Sequence, residues 1–248
     1  MLVAGFPAGS WGTNCYVVAP GPGQECVVVD PGQDAVRGVE DLLREHRLRP
    51  VAVVLTHGHV DHTWSVVPVC SGYGIPAWIH PDDRHQLADP GSGLGLPPGA
   101  AGQVFGGRTF TEPDEVRLLA DGQVLELAGV ELRVDLAPGH TPGSVVFSLP
   151  GPEADGEAAA PVLFSGDLLF AGSIGRTDLP GGSHPQILDS LARVCLPLPD
   201  DTTVLPGHGP ATTIGRERAA NPFLAGLVGP GGGPGGDGAP GPARGRGL

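Results

Sequence analysis

Short apolar runs punctuated by Gly, Pro, Asp and Asn recur through most of the chain, and their length and alternation read as strands rather than helices. The predicted strands are Tyr16–Ala19, Cys26–Val29, Val51–Leu55, Ala77–Ile79, Val130–Leu136, Val145–Leu149, Val162–Phe164 and Thr203–Leu205. Two stretches follow a helical pattern instead. Across Asp34–His46, Val36, Val39 and Leu43 fall on one face, and Asp34 stands where a capping side chain belongs. At Ser183-His-Pro-Gln, Ser183 and Gln186 offer a capping box ahead of Ile187, Leu188 and Leu191. Gly91–Gly107 and Gly151–Pro161 read as loops by composition, the first as a surface excursion or a lid. Strands interleaved with helices, two hairpin-like pairs and no fixed repeat predict an α/β (α+β) domain with sheets flanked by helices.

Composition refines this picture. A chain of 248 residues can bury a substantial core and needs no disulfide or structural metal simply to fold. Its last 20 residues, Gly229–Leu248, hold 10 Gly and 4 Pro and too little apolar surface to offset their ordering entropy. The folded unit is therefore predicted at residues 1–228, with a solvated Gly/Pro-rich tail at 229–248. A formal charge of -13 and a pI near 4.9 argue against nucleic acid or an anionic membrane as partner. There is no lysine, no apolar run of membrane-spanning length and no basic, hydrophobic leader, so a cytoplasmic location is expected. Cys15, Cys26, Cys70 and Cys195 form no C-x-x-C pair and read as buried, inert thiols.

The chemistry concentrates in Leu55-Thr-His-Gly-His-Val-Asp-His62, directly after a predicted buried strand. His57, His59, Asp61 and His62 need little loop closure to converge, and the strand fixes their origin. Imidazole with carboxylate is a ligand set for zinc, iron or manganese rather than calcium or copper(I). Three further strand ends carry a ligand-type residue among small neighbours: His140 in Pro-Gly-His-Thr-Pro-Gly-Ser, Asp167 in Ser-Gly-Asp and His208 in Pro-Gly-His-Gly-Pro. Five histidines and two aspartates exceed what a closed structural zinc site uses and suffice for two ions sharing a ligand.

This ordered series resembles the metallo-β-lactamase superfamily, and its short bacterial glyoxalase II-like hydrolases in particular. Thr13-Asn-Cys-Tyr16, Val28-Val-Asp30-Pro-Gly, Gly175-Arg-Thr-Asp178 and Asn221-Pro-Phe-Leu224 extend the likeness over roughly residues 10–225. The resemblance implies a four-layer αββα sandwich with the metals at one edge. It implies a first ion held by His57, His59 and His140, and a second held by Asp61, His62 and His208. Asp167 would bridge the two divalent ions, zinc first and iron or manganese as alternatives. The implied reaction is hydrolysis of a small thioester by a shared, ionised water, with Asp61 and Asp167 as the catalytic carboxylates. No G-x-S-x-G elbow or other serine nucleophile competes with it.

Departures from the family pattern narrow the expectation. Larger glyoxalase II enzymes add a helical domain whose basic residues grip glutathione; here a Gly/Pro tail stands instead, so the thiol carrier is left open. Trp64 follows the first motif where relatives carry small residues, and core packing is its expected role. Arg176 is a candidate for holding an anionic substrate group, weighed against a bracing ion pair with Asp178. Asp30 is expected to support a ligand rather than bind metal. His184 is expected to be exposed at a helix start, and His46, His80 and His85 need no special role. Alternatives to thioester hydrolysis are a mono-iron persulfide dioxygenase, which shares Gly-Arg-Thr-Asp, a superfamily nuclease, a β-lactam hydrolase and a non-catalytic metal-binding module.

Overall fold

The computed structural model describes residues 1–227 apart from 152, 155, 156 and 159. The predicted boundary at residue 228 and the tail at 229–248 lie outside the described residues. In the first half, β1 (Leu2–Ala8), β2 (Thr13–Ala19) and β3 (Glu25–Val29) run antiparallel, and α1 (Val36–His46) leads to β4 (Arg49–Val54), parallel to β3. After α2 (Val60–Thr63) and α3 (Val66–Tyr73), β5 (Ala77–Ile79) joins in parallel. Beyond α4 (Pro81–Arg84) and α5 (Ala101–Val104), β6 (Val116–Leu118) completes a sheet of order β1-β2-β3-β4-β5-β6.

The second half begins with β7 (Val124–Leu127), β8 (Val130–Leu136) and β9 (Val145–Leu149). Two short hairpins, β10 (Glu153–Ala154) with β11 (Glu157–Ala158) and β13 (Leu169–Phe170) with β14 (Ser173–Ile174), flank β12 (Val162–Gly166). Then come α6 (His184–Ser190), continued by a π turn over Leu191–Cys195, β15 (Thr203–Pro206), β16 (Thr212–Thr213) and α7 (Ile214–Ala220). The sheet order is β16-β15-β12-β9-β8-β7.

Strand alternation divides the apolar residues among three cores. Cys15, Val17, Cys26, Val28 and Val53 point outward to meet Val39 and Leu43 of α1 and Val66 and Val69 of α3. The residues between them in sequence, Val18, Val27, Val29 and Val54, point inward against Val134, Phe147 and Phe164 of the other sheet. On that sheet's far side Val146, Leu163 and Val204 cover Ile187, Leu191 and Ile214. Each strand of period 2 thus serves two apolar layers, and the result is the αββα sandwich.

Several local expectations are corrected. Asp34 does not cap α1: it sits at φ +55°, and the N-cap position is Ala35, which makes no side-chain cap. Gly91–Gly107 is not a plain loop, because it holds a 3₁₀ turn at Ser92–Leu94 and the short α5. Gly151–Pro161 likewise holds the β10–β11 hairpin. Strand β1 escapes the apolar pattern because Gly5 and Pro7 interrupt it; as an edge strand it tolerates the missing N–H of proline. Helix α3, V-V-P-V-C-S-G-Y, lacks a helical period because its first turn is apolar on every side, and Pro68 lies within that turn. Of the predicted box only the Ser183 half forms, its hydroxyl accepting the N–H of Gln186, because the Ser183 N–H donates to the carbonyl of Gly139 at 2.8 Å.

Candidate metal centre

The seven predicted ligand residues meet at one edge of the sandwich. His57 and His59 lie in the turn between β4 and α2, while Asp61 and His62 lie on α2 itself. His140 tops the β8–β9 turn, Asp167 the β12–β13 turn, and His208 follows β15. Strand ends are fixed by their ladders, so side chains on the adjoining turns start from defined positions. Three groups form, each with ligand atoms within 4.8 Å of one another: His57, His59 and His140; Asp61, His62 and His208; and, between them, His57, His62 and Asp167.

Asp167 is the link. Its Oδ1 lies 3.3 Å from His62 Nε2, while its Oδ2 lies 3.5 Å from His140 Nε2 and 3.8 Å from His208 Nε2. Asp61 Oδ2 lies 3.0 Å from His208 Nε2 and 3.6 Å from His62 Nε2. His59 Nδ1 and His140 Nε2 meet at 2.8 Å. His57 Nε2, His62 Nε2 and Asp167 Oδ1 are buried with no hydrogen-bond partner. Buried polar atoms are costly when unpaired, and three that converge on one point fit a divalent cation. The donor set, imidazole nitrogen with carboxylate oxygen, suits the same class of ion.

The imidazoles are aimed from behind. A carboxylate and a carbonyl can only accept, so contacts to them fix which ring nitrogen carries the proton. His62 Nδ1–H donates to Asp30 Oδ2 at 2.9 Å, leaving Nε2 toward the cluster. Asp30, buried and at φ +47°, is itself held by the N–H and hydroxyl of Thr56 at 2.8 and 2.6 Å. His140 Nδ1–H donates to the carbonyl of Arg176 at 2.8 Å. Asp30 therefore orients the imidazole of a predicted ligand, His62.

Charge balance follows from this crowding. Burial alone would raise the Asp61 and Asp167 carboxyls, but the imidazoles of His62 and His208 outweigh it and hold both below the ordinary range. Burial likewise would lower His62, yet Asp61, Asp167 and Asp30 hold it well above the usual histidine value. His208 is raised as well: burial lowers it, and the bond to Asp61 and the charge of Asp167 prevail. His57 and His59 go the other way, His59 to about 4, through burial and neighbouring imidazoles. Two anionic carboxylates facing five imidazoles make a site matched to cations. The thiols take no part: burial pushes Cys26, Cys70 and Cys195 up to about 12, and Cys15 higher still.

One residue missing from the sequence reading is Asp83. Fully buried in α4, it accepts the N–H of Gly58 at 2.9 Å, the hydroxyl of Thr141 at 2.6 Å and the N–H of Gly143 at 2.8 Å. It thus ties the His57–His59 turn to the His140 turn. The signal was present, since His80-Pro-Asp-Asp follows strand β5 as the other ligand turns follow theirs. The Thr13-Asn-Cys-Tyr motif also acquires a task. Asn14 donates to the carbonyls of Pro206 and Gly209 at 3.0 and 2.9 Å, and the Tyr16 hydroxyl donates to Pro206 at 2.8 Å, clamping the His208 turn.

The remaining candidates separate cleanly. Arg176 and Asp178 form the bidentate pair at 2.7 and 2.8 Å, while Arg176 also borders the site. Trp64 packs edge-on against Trp11, Phe105 and Phe110, with the Arg108 guanidinium 4.4 Å over its ring. His184 is exposed, and neither it nor His46, His80 or His85 joins a ligand group. A cavity of about 680 Å³ opens over His59, Asp61, His140, Asp167 and His208. Among the described residues no helix is long and apolar enough to cross a membrane.

Sandwich and site together define a metal-binding hydrolase architecture. The family model of the metallo-beta-lactamase superfamily matches residues 8–208, and the chain belongs to that superfamily. It is 49% identical over 229 residues to an uncharacterized protein of Mycobacterium tuberculosis, covering 92% of this chain and 99% of that one. It is 32% identical over 223 residues to the hydroxyacylglutathione hydrolase GloC of Haemophilus influenzae, covering 88% and 96% respectively. Among solved structures it is similar to the BLEG-1 B3 metallo-beta-lactamase, with TM-score 0.75, 40% identity and coverage of 90% and 99%.

Proposed function

We propose that this protein is a binuclear metal-dependent hydrolase of small thioesters. The observation that carries the reading is the pair of three-residue ligand groups joined by Asp167 on the floor of a cavity large enough for a small molecule. His57, His59 and His140 would hold one divalent ion, Asp61, His62 and His208 the other, and Asp167 both. Such ions supply Lewis acidity toward a carbonyl and lower the pKa of water toward neutrality.

The chain's own residues set the conditions for that chemistry. Asp30 and the Arg176 carbonyl hold two imidazoles in the tautomer that presents Nε2 inward. Asp61 and Asp167, kept anionic by the surrounding imidazoles, are available as ligands at neutral pH. The cavity seats the thioester over them and limits the water around its carbonyl. The four cysteines are buried and none lines the cavity, so in this reading activated water is the attacking group. Identity to GloC supports a thioester over other acyl substrates. Net charge of -13 disfavours a nuclease.

The test is elemental analysis of protein purified without added metal, followed by a thioester panel under anaerobic conditions. About two ions of zinc, iron or manganese per chain and oxygen-independent cleavage are expected. A single iron with oxygen uptake on glutathione persulfide would overturn the reading. So would cleavage of β-lactams with no thioester turned over, the alternative that likeness to BLEG-1 keeps in view.

A further inference from the structure

The cavity over the ligand cluster has walls of one chemical character. Beyond the His/Asp floor its only polar lining side chains, among the described residues, are Ser173 and Arg176. The rest are apolar: besides Val60 of α2 and Leu179, they come from three separate parts of the chain. Leu94, Leu96, Val104 and Phe105 come from the segment between α4 and β6, Phe170 and Ile174 from the β13–β14 hairpin, and Trp11 from the β1–β2 turn.

This wall is built, not incidental. Phe105 stands edge-on to Trp11, Trp64 and Phe110 at 5.7–6.0 Å between centroids, which pins the segment beside the site. Gly95, at φ +70°, turns the chain between Leu94 and Leu96, and a Cβ there would lie 3.4 Å from Pro180. Val104 remains 57% exposed and Trp11 38% exposed at the mouth. An apolar surface left open beside a polar floor is the signature of a ligand-binding site.

Charge disfavours the anionic alternative. Among the described residues Arg176 is the one guanidinium on the wall, and its Nε and one terminal nitrogen are engaged by Asp178. The chain has no lysine. Among the described residues the carboxylates of a peptidic thiol would meet only this guanidinium, already paired with Asp178. Biological thiol carriers are polar, so the part of a thioester that matches this wall is its acyl group.

Resting on the thioester reading above, we infer that the cavity selects an uncharged, apolar acyl group, which lies along Leu94, Leu96, Val104 and Phe105 with its carbonyl over the ligand cluster. Hydrolysis then adds water across the C–S bond: the acyl carbon takes the oxygen, and the sulfur leaves as thiol.

The experiment uses the metal-loaded protein and S-acyl N-acetylcysteamines, whose thiol is small and neutral, from acetyl through butanoyl and hexanoyl to octanoyl. Over this range kcat/KM rises about three- to fourfold per methylene, the value that about 0.8 kcal/mol per buried CH₂ gives at 1.4 kcal/mol per tenfold. The matching ketones, with CH₂ in place of sulfur, are titrated by tryptophan fluorescence, and their Kd tightens with chain length in the same way. Leu96→Asn and the surface substitution Val104→Asn each lower the octanoyl-to-acetyl ratio. Thioesters cleaved with a flat or falling chain-length profile would overturn the inference and leave the hydrolase reading intact. No thioester cleaved while ketones still bind tighter with length would sink the hydrolase reading and leave the apolar site standing. Ketone binding independent of length, with no cleavage, would remove both.

Discussion

Asp83 Oδ2 accepts the hydroxyl of Thr141 at 2.6 Å, although 58 residues separate them, and the same carboxylate holds the backbone of Gly58 and Gly143. One buried side chain thus sets the spacing between the turn that carries His57 and His59 and the turn that carries His140. Asp83→Ala strips three buried donors of their acceptor, each costing about 1–3 kcal/mol. The expected outcome is a loss of roughly 3 kcal/mol, a Tm lower by about 6–12 °C, and metal content below that of the parent. Thermal melts and elemental analysis on one preparation check it; unchanged metal content would show that the two turns hold their spacing without the brace.

Asp167 touches both halves of the cluster, so removing it acts on both. Asp167→Ala is expected to lower metal stoichiometry and thioester turnover together. Normal loading and turnover in that variant would refute the bridging role.

Gly207 has no room for a side chain: a Cβ there would lie 2.3 Å from Asp167 Oδ1 and 2.6 Å from His62 Cε1. Gly207→Ala is expected to reduce turnover at least about tenfold by displacing these two groups. Gly209→Ala, two residues on, meets nothing within 4 Å and costs only the strain of φ +77°, about 1–2 kcal/mol. Equal losses of activity in both variants would count against this assignment.

His62 and His208 sit above the usual histidine value in the metal-free chain, so both hold a proton more readily than a free imidazole. Their lone pairs are needed to bind an ion, and uptake must therefore release protons. The sign follows: affinity for a divalent ion falls as pH is lowered through the histidine range, and binding releases a positive number of protons per chain. Calorimetric titration in buffers of different ionisation enthalpy measures that number, and proton uptake instead of release would contradict the arrangement.

His184 lies exposed at the start of α6, outside every ligand group. His184→Ala is expected to leave kcat/KM within a few-fold of the parent. A loss beyond about 100-fold in steady-state assays would reveal a function that the geometry does not assign.

What the sequence determined by itself was local or strictly periodic. The T-H-x-H-x-D-H run, the strand-end positions of His140, Asp167 and His208 and the Ser183 cap are each written in a few adjacent residues, and the apolar alternation is enough to predict layered sheets. The tertiary structure decided what depends on distant segments meeting. Asp83 looks like any turn aspartate until folding brings Gly58, Thr141 and Gly143 to it. In sequence Arg176 reads either as a substrate anchor or as an ion pair with Asp178; in the fold its guanidinium pairs with Asp178, while its carbonyl orients His140. Gly91–Gly107 has a loop's composition because glycine and proline hide its short helical turns, and it becomes a cavity wall only where the aromatic rings of Trp11, Trp64 and Phe105 gather. Propensity and spacing act along the chain, whereas a brace, an orienting carbonyl and an apolar wall are properties of surfaces that exist only once the two sheets have packed.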